Sequence, residues 1–213
     1  MKNKALSIIE ILKIHYPSPE CALHYTKDYE LMIAVRLSAQ CTDARVNMVT
    51  PALFASYPTI EAFANAPLNH IEELIHSCGF YKHKARDIIE ACKLLLERHN
   101  GTVPATMEEL LELPGVGRKT ANLLLGDLYG VPGSVVCDTH CIRICRRLGL
   151  SEGEDPAKVE NQLRAILPPN ESSDFCHRIV LFGRDICTAR NPRCSACPLK
   201  HHCHEFQINN SQP

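Results

Sequence analysis

A lysine directly behind two glycines is the residue of this sequence best placed to act as a nucleophile. Residues 113–121 read Leu-Pro-Gly-Val-Gly-Arg-Lys-Thr-Ala, so Gly115 and Gly117 precede Lys119 where a helix is predicted to begin. Glycines in such a turn expose backbone N–H groups, and a helix N-terminus attracts phosphate through these groups and its dipole. This stretch has neither the longer Gly-x-Gly-x-x-Gly of dinucleotide sites nor the Gly-Lys-Ser/Thr of a P-loop. Its spacing alone leaves open a tight turn followed by a solvated lysine.

Four cysteines near the C-terminus have the spacing of a metal centre. Cys187, Cys194, Cys197 and Cys203 follow the pattern Cys-x6-Cys-x2-Cys-x5-Cys. Four thiolates brought together by loops can hold tetrahedral zinc or a cubane iron–sulfur cluster. There is a single Cys-x2-Cys knuckle, and the wide gaps on both sides favour a cluster over one ion. Nearby histidines keep zinc as the alternative: His201, His202 and His204.

Three predicted helix boundaries carry further candidates. Asp138 is expected to cap a helix, with His140 two residues later. Gln40 lies at the junction between two helices, where bonding to nearby backbone would be enough to explain it. Phe80 follows Gly79, which suits a left-handed helix end, and an aromatic residue at such a corner usually belongs to a core.

The elements that must position these residues are predicted to be helices. Helical periodicity runs through nearly the whole chain, and no strand-like alternation exceeds about four residues. We therefore expect an all-α protein whose first helix covers about residues 2–15. Pro51 should kink or interrupt its helix, and a polar tail is expected after Phe206. The predicted N-terminal caps are Asp28, Thr42, Thr106 with Glu109 as a capping box, and Asp138.

The composition suits a globular protein in a reducing compartment. The 213 residues are 45% hydrophobic, enough for one large or two small domains with a core. There is no run of about 18 apolar residues to cross a membrane, and the N-terminus lacks a signal-peptide pattern. We therefore expect a cytoplasmic protein that is not secreted and binds no membrane. In the cytosol, clustered cysteines indicate metal, and the others among the 12 are expected to be packing residues.

The charges nearly cancel, with 23 basic against 24 acidic residues and a net charge of −1. Such a balance argues against a nucleic-acid binder unless the basic residues gather on one face. A charge run is more often a solvated face, although the sequence order does suggest gathering. One basic group lies near the C-terminus: Arg184, Arg190, Arg193 and Lys200.

Taken together, four motifs resemble the endonuclease III family of DNA repair glycosylases. They are Leu-Ser-Ala-Gln followed by Thr42 and Asp43, the glycine turn with Lys119, Asp-Thr-His at 138–140, and the four-cysteine spacing. The family's order is kept over nearly the whole chain. Cys41 and Cys137 depart from the usual neighbours in these motifs and could add sensitivity to oxidation.

The resemblance implies a helix-hairpin-helix DNA glycosylase fold, all-α, with two helical domains flanking a DNA-binding cleft. One would be a six-helix domain over residues 23–132 that carries the hairpin. The other would join residues 1–22 to residues 133–213 and hold one four-iron four-sulfur (4Fe–4S) cluster on the four cysteines. The implied partner is double-stranded DNA containing damaged bases or abasic sites, bound by a monomer associated with the nucleoid.

The implied activity is that of a bifunctional DNA N-glycosylase and abasic-site lyase acting on oxidised pyrimidines. Lys119 would form a Schiff base with the sugar and allow β-elimination, while Asp138 would stabilise positive charge on the sugar. Gln40 and Phe80 match positions that the family inserts into the duplex. The other implied DNA contacts are Gly115, Val116, Gly117, Arg118, His140, Arg190 and Arg193.

Two other functions compete with this interpretation. The related adenine-mismatch glycosylase shares the hairpin, the aspartate and the cluster spacing but lacks a lysine at the position of Lys119. A non-catalytic sensor of DNA damage would use the hairpin and the cluster for docking, but it would not need Lys119 together with Asp138.

Overall fold

The computed structural model describes residues 1–210, and in this range it contains α-helices and short 3-10 turns but no strand. The all-α prediction is confirmed. Residues 211–213, the end of the second predicted domain, lie outside the described residues. The helices are α1 Lys2–His15, α2 Asp28–Ser38, α3 Asp43–Ser56, α4 Ile60–Ala64, α5 Leu68–Leu74, α6 Tyr81–His99, α7 Met107–Glu112, α8 Arg118–Tyr129, α9 Thr139–Leu148, α10 Pro156–Ile166, α11 Ser172–Asp185 and α12 His204–Asn210.

The chain divides into two compact units. The central unit is Cys21–Tyr129, and the terminal unit combines Met1–Glu20 with Gly130–Pro213. Between residues 1 and 210, no helix is both long enough and apolar enough to cross a membrane.

The core of the central unit forms around α2 and α6. Most residues of α2 are buried, as its continuous apolar sequence predicts. Helix α6 packs against α2, α4 and α5, while α2 also packs against α3 and α8. Helix α7 contacts α8, so the glycine turn between these two helices is held by elements that pack on this core.

The terminal unit brings the first helix of the chain together with the last third of the sequence. Helix α1 buries Ile8 and Leu12 and packs against α11. Arg178 of α11, itself buried, donates from Nε to the carbonyl oxygen of Tyr16 at 3.1 Å. Helix α9 packs against both α11 and α12, which places Asp138 and the four-cysteine segment in the same unit.

Three of the predicted N-terminal caps are confirmed, because each is an interaction over three residues that the local sequence specifies. Thr42 accepts from the Arg45 N–H at 3.2 Å, and Asp138 accepts from the Cys141 N–H at 2.7 Å. Thr106 accepts from the Glu109 N–H at 3.4 Å and donates its hydroxyl to the Glu109 carboxylate at 2.6 Å.

Two expectations for the central unit's early helices are wrong. Asp28 is the first residue of α2 rather than its cap, and Glu30 instead accepts from the N–H group of Thr26 at 2.8 Å. Pro51 lies inside α3, so the predicted interruption of the helix is wrong, while the alternative of a kink stays a prediction. Val46 and Leu53 on either side of Pro51 are both fully buried, so packing holds the two halves of the helix together.

Two helix ends also differ from the sequence-based expectation. Helix α5 ends at Leu74, and the left-handed residue before α6 is Phe80, with φ 59°, rather than Gly79. The segment from His204 forms α12 where a polar tail was expected after Phe206. Helix α12 packs against α9, and Glu205 pairs with Arg147 at 3.3 Å, contacts that local sequence does not reveal.

Candidate functional site

The glycine turn and the start of α8 form a rigid corner in the central unit, called the hairpin below (residues 113–119). The Val116 side chain is buried, and its N–H donates to the Leu113 carbonyl at 3.0 Å. The Gly117 carbonyl accepts from the Ala121 N–H at 2.9 Å and so begins α8. Lys119 lies in the first turn and is exposed. The first N–H groups of a helix have no acceptor within it, which makes this corner a natural anion site.

The two glycines of the hairpin are required for different reasons. Gly115 has φ +77°, and a Cβ there would lie 2.5 Å from Arg36 Cδ and 3.0 Å from Asp87 Oδ2. A Cβ on Gly117 would meet no atom within 4 Å. The protein's own packing therefore requires glycine at 115, whereas the open space at Gly117 is where a ligand could approach the backbone.

Gln40 and Phe80 lie on adjacent loops of the central unit. Both are exposed, and residue Phe80 is 65% exposed, so the interpretation of Phe80 as a core residue is wrong. A Cβ built on Gly79 would lie 3.6 Å from the Gln40 carbonyl oxygen, so the two loops touch. Among residues 1–210, three residues other than glycine have positive φ, and these include Gln40 at 54° and Phe80 at 59°. Such backbone strain costs about 1 kcal/mol or more per residue and concentrates at functional sites.

Asp138 and His140 form a small polar group at the start of α9 in the terminal unit. One carboxylate oxygen of Asp138 accepts from the Cys141 N–H, and the other lies 3.1 Å from Nδ1 of His140. Both side chains are partly exposed, at 18% for Asp138 and 27% for His140. Asp138 is thus held by the helix N-terminus and its imidazole neighbour while its carboxylate remains accessible.

The four cysteines of the C-terminal segment surround one cavity of about 60 Å³. Its wall also contains apolar side chains, among them Leu148, Phe182 and Ile186. Two donors point at the sulfur atoms: Arg147 Nη1 lies 3.4 Å from Cys187 Sγ, and the Phe206 N–H lies 3.5 Å from Cys203 Sγ. Thiolates around an apolar space with hydrogen-bond donors are the environment of a cysteine-ligated iron–sulfur cluster.

Sequence reasoning missed two arginines of α9 that fix this segment. Arg143 donates to the Cys187 carbonyl at 3.0 Å, and Arg147 donates to the Thr188 carbonyl at 2.9 Å. Arg147 also pairs with Glu205 of α12. The four-residue spacing of Arg143 and Arg147, which places them on one helix face, is a feature that could have indicated a shared partner.

The two arginines predicted to contact DNA from this segment differ in their surroundings. Arg190 is exposed. Arg193 is also exposed, but its guanidinium pairs with the Asp185 carboxylate and donates to the Asp185 carbonyl at 2.6 Å. Arg193 therefore helps to fasten the cysteine segment to the end of α11.

Comparison with known families places this arrangement in a class of DNA repair proteins. Residues 33–169 match the model of the HhH-GPD superfamily base excision DNA repair proteins, and residues 187–203 match the iron-sulfur binding domain of endonuclease III. A solved structure of a trapped endonuclease III–DNA covalent intermediate superposes with a TM-score of 0.92 at 41% identity, covering 99% of each chain. A thermostable thymine-DNA glycosylase shares the fold, with a TM-score of 0.84 at 19% identity.

The most informative curated relatives are endonucleases III. The Synechocystis sp. protein is 46% identical over 98% of this chain and 95% of its own length. The Bacillus subtilis protein is 42% identical over 90% of this chain and 88% of its own. The chain belongs to the endonuclease III family, and it is a base-excision repair enzyme, a DNA glycosylase and abasic-site lyase.

The same comparison decides between the two metal interpretations. Residues 187–203 match an iron–sulfur domain, so the cofactor is one 4Fe–4S cluster and the zinc alternative is wrong. No group of three or more His, Cys, Asp or Glu side chains within residues 1–210 is arranged to hold a single ion.

Proposed function

We propose that this enzyme removes oxidised pyrimidines from double-stranded DNA and cleaves the resulting abasic site, with Lys119 as its nucleophile. The observation that carries the proposal is the exposed Lys119 in the first turn of α8, directly behind the glycines of the hairpin. A lysine amine held on this rigid helix start, beside a site for a backbone phosphate, can act as a nucleophile toward the adjacent sugar carbon.

The hairpin would hold the DNA backbone. Gly115, Val116, Gly117 and Arg118 would lie against a phosphate, with the glycine N–H groups and the Arg118 cation facing it; the Val116 N–H is bonded to Leu113 instead. The buried Val116 and the tightly packed Gly115 keep this corner rigid, and the open space beside Gly117 allows a phosphate to approach. Endonuclease III has been solved in a non-covalent complex with DNA, and that structure superposes on this chain with a TM-score of 0.92.

Gln40 and Phe80 would enter the duplex when the damaged base leaves it. Extracting a base from the stack costs a few kcal/mol and least for a damaged base. An aromatic ring can stack where the base stood, and the Gln40 amide can bond to the base left unpaired. The exposure and left-handed backbone of both residues support this role.

The chemistry assigned to Lys119 proceeds through a covalent intermediate. The amine nitrogen attacks C1′ of the sugar, and the glycosidic bond breaks as the base departs. Opening of the sugar ring gives a Schiff base between Lys119 and C1′. Loss of a proton from C2′ then expels the 3′ phosphate by breaking the C3′–O bond. A related endonuclease III has been trapped as a covalent intermediate with DNA.

Asp138 would stabilise the positive charge that develops on the sugar as the base departs. Its hydrogen bond from the Cys141 N–H and its contact with His140 fix the carboxylate in place. We assign His140 to contact the extruded nucleotide, because its ring is partly exposed beside Asp138.

The cysteine segment would bind the cluster and the DNA backbone with separate residues. Cys187, Cys194, Cys197 and Cys203 would be the ligands, since all four line one cavity. When bound, the cluster supplies four metal–thiolate bonds that cross-link the segment. Arg190 and Arg193 on this segment would then contact phosphates without reading sequence.

The remaining assignments concern partners and location. The substrate would be double-stranded DNA with damaged bases or abasic sites, and the enzyme would act on it as a monomer. We place it in the cytoplasm with the nucleoid, the compartment that holds its substrate.

Borohydride trapping on an abasic duplex tests the nucleophile. The wild-type protein should give a covalent protein–DNA complex, because borohydride reduces the Schiff base, whereas Lys119→Ala should give none. Lys93→Ala is the matched control, since Lys93 is an exposed lysine paired with Glu90 on α6. A Lys119→Ala protein that still cross-links would contradict the assignment. A wild-type protein that binds the duplex without cross-linking would instead indicate a non-catalytic damage sensor.

A further inference from the structure

We propose that Lys84 is a positioning residue that holds the Gln40 and Phe80 loops together, and that Asp87 extends the same support to the hairpin. The inference rests on the DNA-inserting role proposed for Gln40 and Phe80. It adds two residues of α6 that touch no DNA in that proposal but connect all three DNA-contacting loops of the central unit.

Lys84 is bonded to both loops. Its side chain is 1% exposed, and Nζ donates to the Leu37 carbonyl at 2.8 Å. Leu37 lies in the last turn of α2, where carbonyls lack a donor within the helix, and the chain then leads directly to Gln40. The backbone N–H of Lys84 donates to the Phe80 carbonyl at 3.1 Å. The backbone bond belongs to the first turn of α6 and places residue 84 directly after the Phe80 loop, so the Lys84 side chain connects this position to the start of the Gln40 loop.

Asp87 makes the second contact, one turn further along α6. Its Oδ2 accepts from Arg36 Nε at 2.8 Å and from Arg36 Nη2 at 2.5 Å. Arg36 precedes Leu37 on α2, and this ion pair lies directly beneath Gly115 of the hairpin. Both contacts therefore fasten the last turn of α2 to α6, and the second also supports the hairpin.

Burying a lysine in a core costs free energy, because its charged amine loses its contact with water. Burial lowers the pKa of Lys84, the thiols of Cys78 and Cys41 partly oppose this, and Arg36 lowers the pKa further. An apolar side chain of similar volume would often be at least as stabilising at such a position. A lysine that donates to one specific carbonyl beside Gln40 is instead suited to fixing the geometry of a functional loop.

The two contacts predict different defects in DNA binding. Lys84→Met keeps the volume but removes the donor, so it should disturb the inserting loops and leave the hairpin intact. Asp87→Asn weakens the support of the hairpin, which contacts phosphates in any duplex. Lesion discrimination is the ratio of the dissociation constants for an undamaged duplex and for the same duplex containing a tetrahydrofuran abasic-site analogue. A merely structural role for Lys84 would not change this ratio.

The experiment measures both constants for the cluster-containing protein at a temperature well below unfolding. Lys84→Met should reduce lesion discrimination about tenfold with little change for the undamaged duplex, and Asp87→Asn should weaken binding to both duplexes. Glu90→Gln and Lys93→Met are matched controls, because these residues form an exposed pair on the same helix, and both should behave as wild type. If Lys84→Met does not fold, Lys84→Gln, which keeps a shorter donor, should show an intermediate ratio.

Three results would overturn the inference. They are a Lys84 variant with the wild-type ratio, equal weakening on both duplexes by Lys84→Met, and an Asp87→Asn protein that binds both duplexes as wild type does. A wild-type protein without any lesion discrimination would contradict the inserting role of Gln40 and Phe80, and this inference with it.

Discussion

We propose that Asp138 combines a structural and a chemical task in one carboxylate. It caps α9 through the Cys141 N–H, and we assign its charge to the developing positive sugar. The tasks can be separated because asparagine caps a helix about as well as aspartate but carries no charge.

Asp138→Asn should therefore keep DNA binding and thermal stability while base release slows by about 100-fold or more. The measurement is single-turnover release of thymine glycol from a duplex. Asp155→Asn is the matched control, because Asp155 caps α10 in the same unit by accepting from the Lys158 N–H at 2.8 Å. Unchanged base release by Asp138→Asn would reject the role proposed for the charge.

The burial of Lys84 also predicts a pH dependence of stability. Its pKa in the folded protein is lowered from 10.5 by burial, so between the two values the unfolded chain binds more protons than the folded one. The contribution of Lys84 to stability must then rise with pH in this interval and be smallest below it, where lysine is charged in both states.

Thermal unfolding checks this sign. The Tm of the wild-type protein should increase relative to that of Lys84→Met as the pH rises from neutrality toward 10.5. Cys78 interacts with Lys84, but burial raises the pKa of its thiol to about 11, so in the folded state of both proteins the thiol stays largely protonated over this range. The Tm of Lys93→Met, which changes an exposed lysine, should follow the wild-type Tm as the pH rises. A difference in Tm between wild type and Lys84→Met that stays constant with pH would contradict the account.

At the level of elements, the hairpin contains two glycines whose substitution should have different effects, one on stability and the other on DNA binding. Gly115→Ala meets both a positive φ and the Arg36–Asp87 pair, so it should cost about 1–2 kcal/mol of stability or more. Gly117→Ala has free space in the protein and should leave stability unchanged. If a phosphate approaches Gly117, Gly117→Ala should still weaken binding to damaged and undamaged duplexes alike.

Chemical denaturation and duplex binding distinguish the two variants. A Gly117→Ala protein with wild-type affinity would show that the hairpin does not bring DNA against that backbone. A Gly115→Ala protein as stable as wild type would show that the turn can relax around the ion pair beneath it.

Sequence reasoning succeeded where the interaction is local. The caps at Thr42, Thr106 and Asp138 join residues three positions apart, and the apolar run of α2 directly predicts its burial. It failed where distant residues decide the outcome. The Phe80 backbone is left-handed although a glycine precedes it, and the α2–α6 contacts join residues 47 and 51 positions apart, which no local pattern specifies.

In the candidate site, too, local features were predicted from the sequence and long-range contacts were not. The glycine turn, the Asp-Thr-His stretch and the cysteine spacing are contiguous motifs, so the sequence was sufficient to select them. The sequence did not indicate the role of Arg143 and Arg147, because their partners lie about 40 residues later in the chain, in the cysteine segment. Their shared helix face became informative only when the fold brought that segment to α9.

At the scale of the whole molecule, the net charge of −1 gives little general attraction to DNA. We therefore assign DNA binding to local features, namely the helix N-terminus at the hairpin and the exposed arginines of the cysteine segment. The proposed roles are divided between the units: the terminal unit contains Asp138 and the four cysteines of the C-terminal segment, and the central unit contains Lys119, Gln40 and Phe80.

The central claim is that Lys119 forms the covalent bond to the sugar, and the most direct measurement identifies the lysine in the trapped complex. The wild-type protein would be reduced with borohydride on an abasic duplex, digested with nuclease and protease, and sequenced by mass spectrometry. The account predicts that the sugar-phosphate remnant is on the peptide containing Lys119. A remnant on any other lysine or on the N-terminal amine would contradict it.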